Sequence, residues 1–137
     1  MLPKEVFLSH CDKDRRFAAS IVSALQRNDV PVWYSRKSIV GAQQWHDEIG
    51  AALRRCDWFA VILSPNSVQS TWVQNELLFA LNHNRYRDKI VPLLYRDCDY
   101  ELLSWTLSNF QMVNFTKKFA DGGRDLMRVW GLGYKPK

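Results

Sequence analysis

The run WFAVILSP, residues 58–65, restricts the fold more than any other stretch of the chain. From Trp58 to Leu63 it is apolar without a break. A strand with one wet face alternates apolar and polar side chains. A strand covered on both faces does not, and that covering is usual for a parallel sheet. The neighbouring segments fit the same plan. EVFLSH (5–10), VPVWYS (30–35), KIVPLLY (89–95) and FQMVNF (110–115) are short β-type runs, the second entered through the turn signal NDVP. Helical patterns lie among them. Phe17, Ile21 and Leu25 recur four apart in RRFAASIVSALQRN (15–28), as do Trp45, Ile49 and Leu53 in AQQWHDEIGAALRRC (42–56). A third helix is expected from about Thr71 to Asn82, with Thr71 and Gln74 at capping-box spacing. GGRDLMRVWGL (122–132) closes as a fourth, and Asp12 or Asp14 is placed to cap the first. This alternation predicts an α/β fold: a flavodoxin-like, doubly wound, five-stranded parallel sheet flanked by helices.

The length, 137 residues, is that of one domain, and six Trp, seven Phe and five Tyr supply large apolar area for its core. No apolar run approaches the roughly 20 residues of a membrane helix, and MLPKEVFLSH has no signal-peptide pattern, so no membrane association is expected. Cys11, Cys56 and Cys98 are far apart and odd in number. They form neither a disulfide framework nor a C-x-x-C zinc pair, which points to a reducing cytoplasm and no metal. The net charge is +5, but Lys and Arg are scattered. A solvated mixed surface explains that without nucleic acid.

Ligands of such sheets bind outside the carboxyl ends of the strands. Those ends are SHCDKD, SRKSIVGAQQ and SPNSVQSTW. They hold no G-x-G-x-x-G, no phosphate loop and no G-x-S-x-G elbow. Leu63-Ser64-Pro65 stands where a phosphoacceptor receiver needs an aspartate. Ser9-His10-Cys11 has nucleophile and base types, but adjacent residues rarely form a productive pair. His46 and His83 read as exposed or core-packed. The remaining candidate is Glu76, one turn after Trp72 on the third helix. A glutamate on a helix is ordinarily a solvated charge. This one falls within the first two turns, at the ligand-facing rim, beside a large aromatic.

The ordered set of motifs resembles a TIR (Toll/interleukin receptor) domain over almost the whole chain. VFLSHCDKD looks like the family's first box. VPVWYSRKSIVGAQQWHDEI resembles its second strand and following loop, with Gly41 and Trp45 in place. CDWFAVILSPNSVQSTWVQNEL resembles its third strand, S-P-x-[SY] turn and W-x-x-x-E signature, most like the bacterial and other enzymatic members.

That resemblance implies cleavage of NAD+ to nicotinamide and ADP-ribose, linear or cyclic, with NAD+ as substrate and no cofactor or metal. It makes Glu76 the catalytic residue and places Ser9 and His10 near the substrate. Trp45 would border the nicotinamide end and Trp72 would stand beside the acid. Ser35 occupies a position where the family often has aspartate; it can hydrogen-bond but brings no charge. Self-association through the loop at about 35–45, an upstream sensor or downstream effector, and bacterial antiphage signalling are implied as well. The alternative is a non-catalytic TIR–TIR interaction module. A third reading is a flavodoxin-type sensor that binds a nucleotide without turning it over. The 137 residues would be a whole protein or the TIR part of a longer one.

Overall fold

The computed structural model describes residues 2–35 and 42–136, with 42–45 given by their backbone alone. Five strands, β1 (Val6–Ser9), β2 (Val32–Tyr34), β3 (Trp58–Leu63), β4 (Ile90–Leu94) and β5 (Val113–Asn114), form one parallel sheet in the order β2-β1-β3-β4-β5. Four helices flank it: α1 (Arg15–Arg27), α2 (Ala42–Arg55), α3 (Thr71–Leu81) and α4 (Phe119–Arg128). The expected doubly wound architecture is the observed one.

Strand parity divides the core into two layers. Val6, Leu8, Ala60, Ile62, Val91 and Leu93 pack toward α1 and α4, with Phe17, Ile21, Leu25, Leu126 and Met127. Phe7, Phe59, Val61 and Leu63 pack the other way, against Ile49 and Leu53 of α2 and Val73 and Leu77 of α3. WFAVILSP is unbroken because it feeds both layers. The same parity sends Ser9, the last residue of β1, to the α2/α3 side.

Four local details differ from the sequence reading. FQMVNF supplies only the two-residue β5. Pro92 explains this: Tyr95 N–H bonds to Leu63 on β3, while Leu94 C=O accepts from Phe115, so even-numbered β4 residues face β5. Pro92 faces that side without an N–H to offer, and pairing begins only beyond it. The chain there leaves a recess of about 640 Å³ at the amino ends of β3 and β4.

Helix α3 begins at Thr71 as expected, but the caps and the start of α4 differ. Ser70, not Thr71, caps α3, its hydroxyl accepting from Val73 N–H at 3.2 Å. Asp14 occupies the N-cap position of α1, but its carboxylate makes no cap bond and is engaged elsewhere. Helix α4 begins at Phe119, ahead of its glycine pair. Within it, Gly122 leaves room for the Phe115 ring and Gly123 for Tyr134.

A Cβ on Gly122 would come within 2.7 Å of the Phe115 ring, whereas one on Gly50 of α2 meets only the flexible Arg54 guanidinium at 3.6 Å. Alanine in a helix normally gains about 0.5–1 kcal/mol over glycine, and overpacking costs about 1–3 kcal/mol. Gly50→Ala should therefore raise the melting temperature and Gly122→Ala should lower it, each by a few degrees, as read by thermal denaturation.

Candidate functional site

In the order β2-β1-β3 the chain leaves β1 toward α1 on one side of the sheet and leaves β3 toward α3 on the other. The carboxyl ends of β1 and β3 therefore border a crevice, the place where doubly wound sheets bind ligands. His10, Cys11, Asp12, Ser35, Ser70, Trp72 and Glu76 line a cavity of about 110 Å³ there.

Glu76 is 6% exposed. It belongs to the buried stripe of α3, with Val73, Leu77 and Ala80, and interrupts that stripe with a carboxylate. Ser9 Oγ donates to its Oε1 at 2.6 Å. No donor to Oε2 exists among the described residues. Burial pushes the Glu76 carboxyl up to about 7, and the Ser9 bond acts in the opposite direction. The group is thus divided between acid and carboxylate near neutral pH.

The other sequence-selected residues take different places. Ser9 is 1% exposed and lies behind Glu76 instead of on the cavity wall. His10 is on the wall, and its buried Nδ1 has no partner among the described residues. Burial holds its pKa below the usual value, against the Leu8 backbone and the charges of Asp12 and Asp14. A neutral imidazole beside Glu76 does not repel a cationic ligand. Ser35 lines the cavity from the end of β2. Trp72, 41% exposed, lines its mouth and meets His46 of α2 edge to face, centroids 5.9 Å apart. The Trp45 side chain and residues 36–41 lie outside the described residues.

Sequence reasoning did not anticipate the latch beneath the site. Asp14, 4% exposed, accepts from Ser64 Oγ at 2.5 Å and from Asn66 Nδ2 at 3.1 Å. Ser64 Oγ in turn accepts from the Asn66 and Ser67 backbone N–H groups. The β1–α1 loop, which carries three wall residues, is thereby tied to the loop leading into α3. S-P-N-S was legible as a turn, but its partner 50 residues away was not.

The larger recess at the amino ends is no rival on chemical grounds. It contains the exposed Asp125–Arg128 pair, and none of the buried polar residues lies on its wall. Among the described residues no three His, Cys, Asp or Glu side chains gather to hold a metal, and no helix is long and apolar enough to cross a membrane.

The displaced ionisation of Glu76 has a thermodynamic consequence. Its unfolded value is 4.5 and its folded value about 7. Because the folded value is raised, the native state loses stability as pH rises through this window, by about 3 kcal/mol once ionisation is complete. Glu76→Gln keeps an oxygen for Ser9 and removes that cost. Chemical denaturation should find the variant more stable than wild type at pH 8.5 by up to about 3 kcal/mol, and equally stable at pH 4.

A family model described as "TIR domain" matches residues 6–127. An Escherichia coli O6:H1 protein named NAD(+) hydrolase TcpC is 30% identical over 90 residues, 65% of this chain and 29% of that one. An Acinetobacter baumannii protein named 2' cyclic ADP-D-ribose synthase AbTIR is 25% identical over 105 residues, 74% of this chain and 39% of that one. The aligned parts are thus less than two fifths of either relative's length. The fold is also that of the TIR domain of the Toll-related receptor TRR-2 from Hydra magnipapillata, with a TM-score of 0.73, 20% identity, and coverage of 90% of this chain and 95% of that one. By its motif order, its sheet and the match across residues 6–127, this chain belongs to the TIR domain family.

Proposed function

We propose that the chain cleaves NAD+ at the nicotinamide–ribose bond, with Glu76 as the catalytic carboxylate. The observation that carries this reading is a carboxylate 6% exposed with one oxygen bonded to Ser9, on the wall of a cavity of about 110 Å³. A pocket for a whole drug-sized ligand is about 300–1,000 Å³, so this one suits a single ring, with the rest of a dinucleotide across the open rim. A protein that only docks on other TIR domains has no need to bury an ionisable group beside a cavity, at a cost of a few kcal/mol. The names of the two bacterial relatives support the same chemistry.

The substrate explains why one carboxylate suffices. Glycosidases use two carboxyl groups, one of them to protonate the leaving oxygen. The nicotinamide ring of NAD+ is already cationic. When the ribose C1′–N1 bond breaks, its electron pair moves onto the ring nitrogen and nicotinamide departs neutral, without a proton. Positive charge develops on the ribose, where ionised Glu76 stabilises it. Water then adds at C1′ and loses a proton, giving ADP-ribose; a nucleophile from the same molecule in place of water gives a cyclic product. Trp72 offers an aromatic face to the cationic ring, and neutral His10 leaves its charge unopposed.

Self-association through about 35–45 belongs to this proposal, because the described residues of one chain wall in only one ring of the substrate. We place the activity in bacterial immune signalling in the cytoplasm, with the chain acting as one TIR unit. This agrees with the bacterial source of both relatives.

The test is nicotinamide release from NAD+, resolved by chromatography at high protein concentration. Wild type should release nicotinamide together with a linear or cyclic ADP-ribose, and Glu76→Gln should be slower by at least about a hundredfold. Because the ionised form works, kcat/KM should fall on the acid side with a midpoint near 7. Wild-type turnover by Glu76→Gln would overturn the assignment.

A further inference from the structure

We propose that Ser9 is the positioning residue of this site: its hydroxyl holds one oxygen of Glu76 so that the other is presented to the cavity. This deepens the NAD+-cleavage reading and rests on it. Ser9 closes β1 in register with Val61, on the sheet face that otherwise carries Phe7, Phe59, Val61 and Leu63. An apolar side chain would suit that layer. A buried hydroxyl costs free energy unless it is bonded, and the bond Ser9 makes is to Glu76 Oε1 at 2.6 Å.

The geometry gives this bond a use beyond packing. Both partners are buried, Ser9 at 1% exposure and Glu76 at 6%, so water has little access to replace the donor. No second donor to Glu76 exists among the described residues. Ser9 does not touch the cavity, whereas Glu76 does. The hydroxyl therefore acts through the carboxylate, in two ways. It fixes the side-chain rotation that leaves Oε2 for the ligand, and it favours the charged form over the acid. A pair serving stability alone would gain nothing from standing on a cavity wall, and two apolar side chains of matching shape would serve as well.

Replacing Ser9 by alanine removes the donor and leaves the carboxylate buried. The Glu76 midpoint should then move alkaline by about one unit or more. At pH 7 kcat/KM for nicotinamide release should fall about fivefold or more, and it should recover toward wild type near pH 9. Ser9→Cys, of similar shape with a weaker donor, should fall between the two.

The decisive readout does not depend on activity. With 13C-labelled glutamate, the Glu76 carboxyl resonance, assigned by its loss in Glu76→Gln, is titrated in wild type, Ser9→Ala and Ser9→Cys. Alkaline displacement in the order wild type, Cys, Ala supports the proposal. Equal midpoints in all three overturn it, whether or not NAD+ is cleaved. Displacement without nicotinamide release from wild type supports the role of Ser9 and overturns the NAD+ reading. If Ser9→Ala does not fold, the Cys variant decides: an unmoved midpoint there overturns the proposal.

Discussion

The hydrogen bond from Ser9 to Glu76 is the constraint around which the rest of the site is arranged. It joins the last residue of a central strand to the second turn of a helix 67 residues later. Three independent regularities must agree for it to form. Strand parity turns Ser9 toward α3, the 3.6-residue period turns Glu76 inward with Val73, Leu77 and Ala80, and the order β2-β1-β3 places the two ends side by side. The bond offsets part of the cost of burying a carboxylate and leaves the remainder as a raised ionisation constant. A few kcal/mol of such cost is a sizeable share of the roughly 5–15 kcal/mol that keeps a domain folded. The two apolar layers are what allow it.

Around this pair the walls are held by short, buried polar contacts. The latch of Asp14 on Ser64 and Asn66 binds the loop carrying His10, Cys11 and Asp12 to the segment that starts α3. Ser70 caps that helix and lines the cavity as well. Sites held in this way are pre-organised, because their side chains do not need to be ordered again when a ligand arrives. The same arrangement explains the size of the cavity. Its described wall residues come from the ends of three packed elements, and the space between them is that of a ring.

Much of this was legible in the sequence, and the misses have physical causes. The unbroken run at 58–63 disclosed a strand buried on both faces, and the four-residue spacing of Phe17, Ile21 and Leu25 disclosed α1. The Trp72–Glu76 spacing placed an aromatic and an acid on one wall. Sequence could not tell that Ser9 lies behind Glu76 and off the cavity wall, because that depends on which sheet face each strand end presents. Asp14 read as a helix cap from its position; a long-range pairing with Ser64 and Asn66 drew its carboxylate away. FQMVNF read as a full strand on propensity, and Pro92, on a different strand, cut its pairing short. In each case a local preference yielded to a contact between residues distant in sequence.

The proposed function turns on one property: a carboxyl group that burial keeps partly neutral in the empty site and that a bound cationic ring would hold charged. Binding should then expel the proton that the empty site retains. Calorimetric titration with a non-cleavable NAD+ analogue at pH 7, in buffers of different ionisation enthalpy, counts that proton directly. Release of a fraction of a proton per ligand bound is expected, lost in Glu76→Gln. Binding whose heat is the same in every buffer would contradict it and return Glu76 to the role of a buried structural charge.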